Sequence, residues 1–324
     1  MDNRSKYREL CATEPSIPIF SRDWWLDAVA GEKAWDVVTV ESNDRIIGAL
    51  PYHMRKVAMF RIICMPRQTQ KMGVWLKYPA DQKYTNRLAF EKKVVTELID
   101  KLPPFHRFHQ TFDHSFTNWL PFYWKGFRQT TRYTYCIDDL SDLEKIHSDF
   151  RENIRREIRK AQKQVVIEES QNSRSFYDLN AHTFERQGLS IPYSFDFFRT
   201  LDAACLAHQC RKIFIARDER DVIHAAIYIV WDERSAYYLM GGSDPVYRNS
   251  GATSLLMWHA IQFAAKVTGR FDFEGSMLEY VEKYFRAFGA KQVPYFSIAK
   301  SSKLFDALFS QEKFVRTIEG IIKK

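Results

Sequence analysis

YRNSGATSLLMWHAI, residues 247–261, is the stretch that decides which fold the sequence predicts. Arg248, two polar residues and the small pair Gly251 and Ala252 run directly into an apolar segment. Glycine lets the backbone approach an anion closely, and the N–H groups at a helix start carry partial positive charge. The stretch is therefore either a phosphate-holding loop or an ordinary helix start, capped by Asn249 or Ser250.

The composition is that of a globular protein with enough chain for two domains. Its 324 residues exceed the usual domain size of about 150 residues, and a hydrophobic content of 45% excludes a disordered chain. The net charge of +8 suits a phosphate, a nucleic acid or an acidic membrane surface as partner. The N-terminal MDNRSKYREL is polar, and no apolar run reaches the roughly 18 residues of a membrane span, so we expect a cytoplasmic protein.

The cysteine and histidine positions give no sign of a metal site. The five cysteines form no C-x-x-C pair, and the nine histidines show no H-E-x-x-H or comparable ligand spacing. Because the number of cysteines is odd, we expect reduced, buried thiols and no bound metal.

An internal repeat predicts two related halves. Residues 37–52, VVTVESNDRIIGALPY, align without a gap with residues 214–229, FIARDERDVIHAAIYI, and both have the pattern of a β-hairpin. Further along, FDHSF at 112–116 corresponds to FEGSM at 273–277. Two matches in the same order favour a duplication, with the boundary near residue 139.

The predicted elements follow the same order in both halves. The second half should begin with a helix over 142–163, then carry a three-strand meander, a long helix over about 250–267, a strand at 270–276 and a last strand near 293–300. The first half is a shorter version that closes with the strand 130–137. We therefore predict an α/β fold with a mixed sheet and helices on both faces.

In this order of elements the chain resembles the GNAT acyltransferase fold. As a tandem pair it resembles, more narrowly, the two-domain Fem-like branch, the relatives of the peptidoglycan-crossbridge aminoacyl transferases, and especially the BioF2-like acetyltransferases. The resemblance is carried by IPIFSRDWWLDAV at 17–29, FRENIRREIRKAQK at 150–163, the stretch 247–261, FDFEGS at 271–276 and YFRAFGA at 284–290.

The resemblance implies different roles for the two GNAT-like copies. Residues 1–139 would be a degenerate domain that supports the fold or binds the acceptor, because the matching region KYPADQKYTNRLAFEKKVV, 77–95, has no glycine loop. Residues 140–324 would be the acyltransferase domain, followed by a C-terminal helical tail.

The donor site implied by the resemblance lies on the stretch 247–261. GNAT loops follow the pattern R/Q-x-x-G-x-G/A and hold the pyrophosphate of coenzyme A on backbone N–H groups. Arg248 and Gly251 match this pattern, but Thr253 stands where glycine or alanine belongs, so both acetyl-CoA (or another acyl-CoA) and aminoacyl-tRNA are open as donors. The candidate donor-binding residues are Met240, Gly242, Arg248, Asn249, Ser250, Gly251, Ala252 and Thr253.

The candidate catalytic residues are Glu274, Tyr284 and Tyr238. Strand alternation puts Glu274 on one face with Ser276, where it would be the general base; a solvated or ion-paired acid is the alternative. The tyrosine acid usual in GNAT enzymes is replaced by Phe285, with Tyr284 next to it. Tyr238 lies on the strand that supplies the oxyanion N–H in this fold.

Two further residues are candidates for substrate binding. Arg286 either faces an anionic substrate or forms a surface ion pair, and His224 either contacts the substrate or is a structural histidine in an apolar strand. Basic residues at four-residue spacing on the predicted helix at 150–163 form either a tRNA contact or a solvated face. They are Arg151, Arg155, Arg159 and Lys163.

We expect an N-acyltransferase that transfers an acetyl or aminoacyl group to an amino group of a cell-envelope or polysaccharide precursor. The acceptor would be a small-molecule amine or one linked to a lipid or sugar. Contacts with tRNA, or with a membrane surface through the aromatic tract at 105–127, stay open, as does the oligomeric state. The alternative is a non-catalytic RNA- or glycan-binding protein that keeps the fold.

Overall fold

The structure, a computed structural model, describes residues 2–186, 188–275 and 277–308. The chain divides into two compact units, each with its own buried core. The first unit comprises Met1–Arg132 together with Pro294–Lys324, and the second comprises Tyr133–Val293.

The first unit combines a sheet with flanking helices. Its helices are α1 (Asn3–Thr13), α2 (Asp23–Ala30), α3 (Tyr84–Asp100), α4 (Leu120–Trp124) and α11 (Lys303–Leu308). Its strands are β1 (Trp35–Ser42), β2 (Arg45–Val57), β3 (Phe60–Cys64), β4 (Trp75–Leu76), β5 (Arg107–Thr111) and the greater part of β12 (Lys291–Ser301). The strands pair in the order β1-β2-β3-β5-β12, with β4 on β2; the β3–β5 pair is parallel and the others are antiparallel.

The second unit has a sheet of the same mixed kind. Its helices are α5 (Leu143–Asp149), α6 (Glu152–Ala161), α7 (Ser173–Glu185), α8 (Phe195–Ala207), α9 (Ala252–Ala264) and α10 (Glu279–Arg286). Its strands are the end of β6 (Arg128–Ile137), β7 (Val166–Ser170), β8 (Arg211–Arg217), β9 (Ile223–Trp231), β10 (Ala236–Ser243) and β11 (Phe271–Asp272). The pairing order is β7-β8-β9-β10-β11-β6, in which β10 and β11 are parallel.

The second unit confirms the predicted mixed sheet with helices on both faces, as the side chains of β9 show. Ile227 and Ile229 belong to the core that α9 covers. Tyr228 lies against Phe176 of α7 and Phe198 of α8, at ring-centroid distances of 5.5 and 5.6 Å. Since successive side chains of a strand point to opposite faces, helices cover this sheet from both sides.

Both hairpins of the internal repeat are present. In the β1–β2 hairpin, Asn43 and Asp44 have φ of 50° and 58°, as a two-residue hairpin turn requires. In the β8–β9 hairpin, the Asp218 carboxylate accepts bonds from the N–H groups of Arg220 and Val222 and thereby closes a longer turn. Polar residues between two apolar runs therefore predicted both turns correctly.

The last strand of each half pairs outside the half to which the sequence assigned it. In the first unit β5 pairs with residues 297–301 of β12, and in the second unit β11 pairs with Cys136 and Ile137 of β6. The units therefore differ from the expected division at residue 139, because the first unit ends at Arg132 and resumes at Pro294. β6 and β12 have similar composition, so the local sequence pattern does not predict the strand with which each one pairs. The expected helical tail begins with α11, and its remainder, 309–324, lies outside the described residues.

The helix predicted at the start of the second half is two helices with a break between them. Phe150 and Arg151 are extended, with ψ of 140° and 149°, between α5 and α6. The Phe150 ring packs on Trp258 and Phe288, and the Arg151 N–H donates to the Ala287 carbonyl at 2.8 Å. Tertiary contacts thus interrupt a segment in which no glycine or proline signals a break.

The aromatic tract at 105–127 is mostly core. Five of its phenylalanines are buried together in the first unit: Phe108, Phe112, Phe116, Phe122 and Phe127. Tyr123 and Trp124 of α4 are exposed. Within this tract, these two side chains of α4 are therefore the exposed aromatic ones that could contact a membrane surface.

Removing β12 should unfold the first unit. A fragment of residues 1–139 keeps β1 to β5 but loses Ile298, which is fully buried in the core with Phe108 and Phe112. It also leaves the edge of β5 unpaired. We expect no cooperative thermal transition of this fragment by far-UV circular dichroism. Joining residues 291–302 to it through a flexible linker should restore the transition, whereas cooperative unfolding of the fragment alone would contradict the role given to β12.

Candidate functional site

The loop between β10 and α9 ends in a glycine with a left-handed backbone. Arg248–Ser250 form one 3₁₀ turn, and Gly251 follows as the N-cap of α9, with φ of 82°. A Cβ on Gly251 would lie closer than 3.0 Å to the carbonyl oxygen of Glu157 in α6. Glycine is required here because α6 packs directly on the loop and because other residues rarely adopt this φ.

Contacts within the loop and from α6 fix its path. Lys160 of α6 donates from Nζ to the Asn249 carbonyl at 2.7 Å, and the Ser250 hydroxyl accepts from the Ala252 N–H at 3.3 Å. Ser250 therefore performs part of the expected capping. The N–H groups of Thr253 and Ser254 have no acceptor within the described chain, so they are available to an anion at the start of α9.

Arg248 supplies positive charge in the turn that precedes these N–H groups. Its side chain is exposed, and within the described ranges it has no hydrogen-bond or ion-pair partner. An uncompensated guanidinium is a good partner for phosphate, which it can bind through two parallel N–H bonds. The start of α9 therefore has the charge and the hydrogen-bonding capacity that binding an anion requires.

β10 leaves part of one edge open beside this loop. It pairs with β9 along most of its length, but with β11 only at Ala236 and Tyr237. From residue 238 onward, no strand of the described chain pairs with β10 on the β11 side. An extended ligand can add main-chain hydrogen bonds to such an edge.

The small residues of β10 are required by packing. A Cβ on Gly242 would lie closer than 3.0 Å to the backbone of Leu179 in α7. Met240 is buried, with its sulfur 3.2 Å from the Tyr193 hydroxyl. Of the candidate donor-binding residues, Met240 and Gly242 therefore shape the strand, and contacts with a donor would come from its backbone.

Three side chains form a hydrogen-bond chain at the start of α9. The Ser254 hydroxyl donates to Glu157 Oε2 at 2.5 Å, and it lies 3.2 Å from the Tyr284 hydroxyl. Ser254 is 1% exposed. Burial raises the pKa of Tyr284, although the hydrogen bond with Ser254 acts in the opposite direction. Among the candidate catalytic residues, Tyr284 is the one linked by hydrogen bonds to the first turn of α9.

Tyr238 lies in the same core region. Its ring makes an edge contact with Phe285 of α10 at a centroid distance of 6.0 Å, and its hydroxyl reaches over Gly241. Burial raises the pKa of Tyr238 to about 12. The side chain is therefore a neutral phenol at physiological pH, without an ionised form to act as a base.

Glu274 does not continue the strand as the alternation predicted. β11 ends at Asp272, and Glu274 and Gly275 have φ of 62° and 60°. The Glu274 N–H donates to Asp272 Oδ1 at 2.8 Å, and the same oxygen accepts from the Thr134 hydroxyl. The strand alternation therefore fails at Glu274, which is buried and not at a solvated edge; Ser276 lies outside the described residues.

His224 lies beneath the loop, where it supports Tyr247. The two rings stack at 4.2 Å with an interplanar angle of 14°, and His224 Nε2 is 3.3 Å from Asp218 Oδ2. Hydrogen bonds, above all from the Val222 N–H, lower the pKa of Asp218 to about 2, so this carboxylate is charged at neutral pH. With 4% exposure, His224 has the structural environment that was the alternative to substrate contact.

Arg286, Arg155 and Arg159 are in surface ion pairs. Arg286 Nε is 2.7 Å from Glu282 Oε1, one turn earlier on α10. On α6, Glu152 pairs with Arg155 at 2.9 Å and with Arg159 at 2.5 Å. Exposed pairs of this kind are typical of a solvated face, which was the alternative in both cases.

Sequence reasoning missed Glu157, Ser254 and Lys160. Glu157 follows the buried Ile154 by three residues, so helical spacing puts it beside the packed face of α6. That spacing was the available signal. Lys160 and Ser254 carried none, because their roles come from the packing of α6 on α9.

The family comparison covers the segment that contains these residues. Residues 148–286 match the model of the acetyltransferase (GNAT) domain. This segment is therefore similar in sequence to GNAT acetyltransferase domains. The segment includes α6, the loop, α9 and Tyr284, so the whole hydrogen-bond chain lies within it. The comparison confirms the GNAT fold that the element order predicted.

Solved structures extend the similarity to nearly the whole chain. FemX aligns with a TM-score of 0.68 at 12% identity, over 91% of this chain and 96% of that one. L-PGS from Bacillus licheniformis aligns with a TM-score of 0.54 at 12% identity, over 100% and 98%. A C-terminal domain assigned to a lysylphosphatidylglycerol synthetase from Agrobacterium fabrum aligns with a TM-score of 0.54 at 11% identity, over 99% and 97%. At these identities the likeness is one of fold, and it confirms the resemblance to the Fem-like branch at that level.

Three further searches, for curated relatives of the sequence and, in the part of the chain that the structure describes, for metal-binding clusters and membrane-spanning helices, found nothing. No curated protein sequence matches this one. Among the described residues, no group of three or more His, Cys, Asp or Glu side chains could hold a metal ion. Within the same ranges, every helix is too short or too polar to cross a bilayer.

Replacing Gly251 with alanine should destabilise the GNAT domain. The added methyl group would meet the Glu157 carbonyl oxygen, and alanine would have to keep a φ of 82°. We expect a loss of about 2 kcal/mol or more in the free energy of unfolding. Differential scanning fluorimetry should show a Tm lower by several degrees.

Gly269→Ala is the matched control for this variant. Gly269 follows the same helix, and an added Cβ there has no atom within 4 Å. Its Tm should stay within about 1 °C of the wild type. Equal losses in the two variants would show that contact with α6 is not what requires Gly251.

Proposed function

We propose that the protein is an N-acyltransferase that transfers an acetyl or aminoacyl group to the amino group of a cell-envelope or polysaccharide precursor. The start of α9 carries the proposal: in the described chain the N–H groups of Thr253 and Ser254 have no acceptor, and the exposed Arg248 precedes them. Helix N-termini bind phosphate through such N–H groups. Acyl-CoA and aminoacyl-tRNA both bring phosphates with the acyl group.

Acyl-CoA is the first candidate donor, because the N–H of Thr253 has no acceptor in the described chain. Thr253 lies inside α9 with a helical backbone, so its N–H is available whether or not the residue is glycine. The position that needs glycine for close packing is Gly251, which matches the GNAT pattern. Aminoacyl-tRNA is the second candidate, since its phosphates would suit the same charges.

The acceptor class is proposed from the fold comparisons. One similar structure belongs to a protein assigned as a lysylphosphatidylglycerol synthetase. That name describes a product in which lysine is attached to the membrane lipid phosphatidylglycerol. An amine carried by a lipid- or sugar-linked precursor is the acceptor that follows. The exposed Tyr123 and Trp124 would allow contact with a membrane surface. Since coenzyme A and charged tRNA are cytoplasmic molecules, we propose that the reaction takes place in the cytoplasm.

In the proposed reaction, the amine nitrogen attacks the acyl carbon and negative charge develops on the acyl oxygen. Backbone N–H groups on the open edge of β10, residues 238–243, are the proposed donors to that oxygen. Tyr284 of α10, whose hydroxyl is hydrogen-bonded to Ser254 in the first turn of α9, is the proposed group for proton transfer. Arg248 and the two N–H groups of α9 would hold the phosphates and so orient the donor.

Coenzyme A and acetyl-CoA should stabilise the protein against heat. A ligand that binds only the folded state at 100 times its Kd adds about 2.7 kcal/mol of apparent stability. Arg248→Ala should weaken coenzyme A binding about tenfold, because it removes a charged hydrogen-bond donor from the phosphate. Differential scanning fluorimetry over a ligand series measures both effects.

The control for this experiment is Arg199→Ala on α8. Arg199 is likewise exposed, and it pairs with Asp196 at 3.1 Å. This variant should bind coenzyme A as the wild type does. No stabilisation of the wild type by either ligand, or equal affinity in Arg248→Ala, would contradict the acyl-CoA donor.

Aminoacyl-tRNA as donor predicts binding that falls steeply with salt. Each phosphate contact releases counterions, so the affinity for charged tRNA should drop by orders of magnitude between about 50 and 200 mM salt. Fluorescence anisotropy over a salt series measures the slope. A flat response would exclude tRNA, and tight tRNA binding without transfer to any amine would favour the non-catalytic RNA-binding alternative.

A further inference from the structure

The hydrogen-bond chain from Glu157 through Ser254 to Tyr284 has a fixed direction. Ser254 gives its single hydroxyl proton to the Glu157 carboxylate. The 3.2 Å bond to Tyr284 must then run from the Tyr284 O–H to the Ser254 oxygen. The phenol therefore points its proton at Ser254, and its oxygen keeps a lone pair that can accept a further hydrogen bond.

We infer that this chain is a proton relay that carries a proton from the attacking amine to Glu157. The inference rests on the proposed acyl transfer. Tyr284 would be a catalytic residue, because its oxygen receives the proton of the substrate nitrogen. Ser254 and Glu157 would be positioning residues that act through Tyr284.

The relay balances without ionising either hydroxyl. The N–H bond of the amine breaks as a new O–H bond forms on Tyr284. The original Tyr284 proton passes to the Ser254 oxygen, and the original Ser254 proton passes to Glu157 Oε2. At the end the nitrogen has lost one proton and the carboxylate has gained it, while both hydroxyls are restored.

The energetics favour a relay over a tyrosine that acts alone. A phenol has an ordinary pKa of about 10, and burial raises the pKa of Tyr284 further, so its phenolate is scarce at neutral pH. In the relay the phenol never has to ionise, because it loses and gains a proton together. The chain ends at the Glu157 carboxylate, which accepts the Ser254 hydroxyl proton and is placed to receive the proton that the two hydroxyls pass on.

The proton transfer that needs help from the protein is removal of a proton from the amine, and not protonation of the leaving group. An alkyl amine with a pKa of about 10.4 is protonated at neutral pH, whereas a thiol with a pKa of about 8.5 departs readily as its thiolate. A tyrosine whose proton is already committed to Ser254 suits removal of a proton better than donation. Glu157 is half-buried on α6, so it can pass the proton on to water, while Ser254 is 1% exposed.

The relay can be tested without any turnover, through the coupling between Glu157 and Tyr284. Protein labelled with ¹³C at the tyrosine ζ carbon gives one NMR signal per tyrosine, and Tyr284→Phe identifies the signal of Tyr284. We expect this signal to shift between neutral and acidic pH, because protonation of the Glu157 carboxylate would remove the acceptor of the Ser254 hydroxyl proton. The shift should disappear in Glu157→Gln and in Ser254→Ala.

Glu152→Gln is the control, because it makes the same substitution on an exposed carboxylate of the same helix. It should keep the Tyr284 titration. A Tyr284 signal that does not follow pH, or one that titrates alike in the wild type and in Glu157→Gln, would overturn the relay. If Glu157→Gln does not fold, the Ser254→Ala variant tests the relay by itself, because it removes a single buried hydroxyl from the hydrogen-bond chain.

Turnover gives a second readout that a structural role would not move. With acetyl-CoA and a panel of amino sugars and aminolipids, Glu157→Gln and Ser254→Ala should lower kcat about a hundredfold and leave the KM for acetyl-CoA within twofold. Unchanged kcat in both variants would overturn the relay. A wild type that transfers nothing from either donor would contradict the proposed function, and the NMR titration would still support or refute the proton connection.

Discussion

The contact between α6 and Gly251 is the constraint on which the site depends. Because no side chain fits between them, the start of α9 lies directly against the α6 backbone. α6 then reaches the loop with two side chains: Lys160 holds the Asn249 carbonyl, and Glu157 binds Ser254. The geometry of the loop is thus set by a helix that precedes it by almost 100 residues, through a bond between residues 97 apart.

The parts of the fold that follow from local pattern were predictable. Both hairpins and α9 are confirmed, because apolar runs and polar turns specify them within a short window. Neither α1 nor the two-residue β4 has such a pattern, and neither was expected. The partners of β6 and β12, and the break at Phe150, depend on contacts distant in sequence, so the sequence pattern did not reveal them.

The candidate site was predictable where it depends on backbone, and less so where it depends on side chains. Glycine at 251 and the small residues around it predicted the loop, although packing on α6 was not foreseen as the reason. The alternation that included Glu274 failed because a non-glycine residue adopts a left-handed backbone there without any signal in the sequence. Ser254 and Glu157 meet only in the folded domain.

The central claim is that the N–H groups at the start of α9 hold the phosphates of the acyl donor. Amide NMR with coenzyme A measures this directly, one N–H at a time. We expect the signals of Thr253 and Ser254 to shift and saturate together as coenzyme A is added, while that of Met257, one turn further into α9, hardly moves. Coenzyme A that leaves both signals unchanged, or that shifts a different part of the chain, would contradict it.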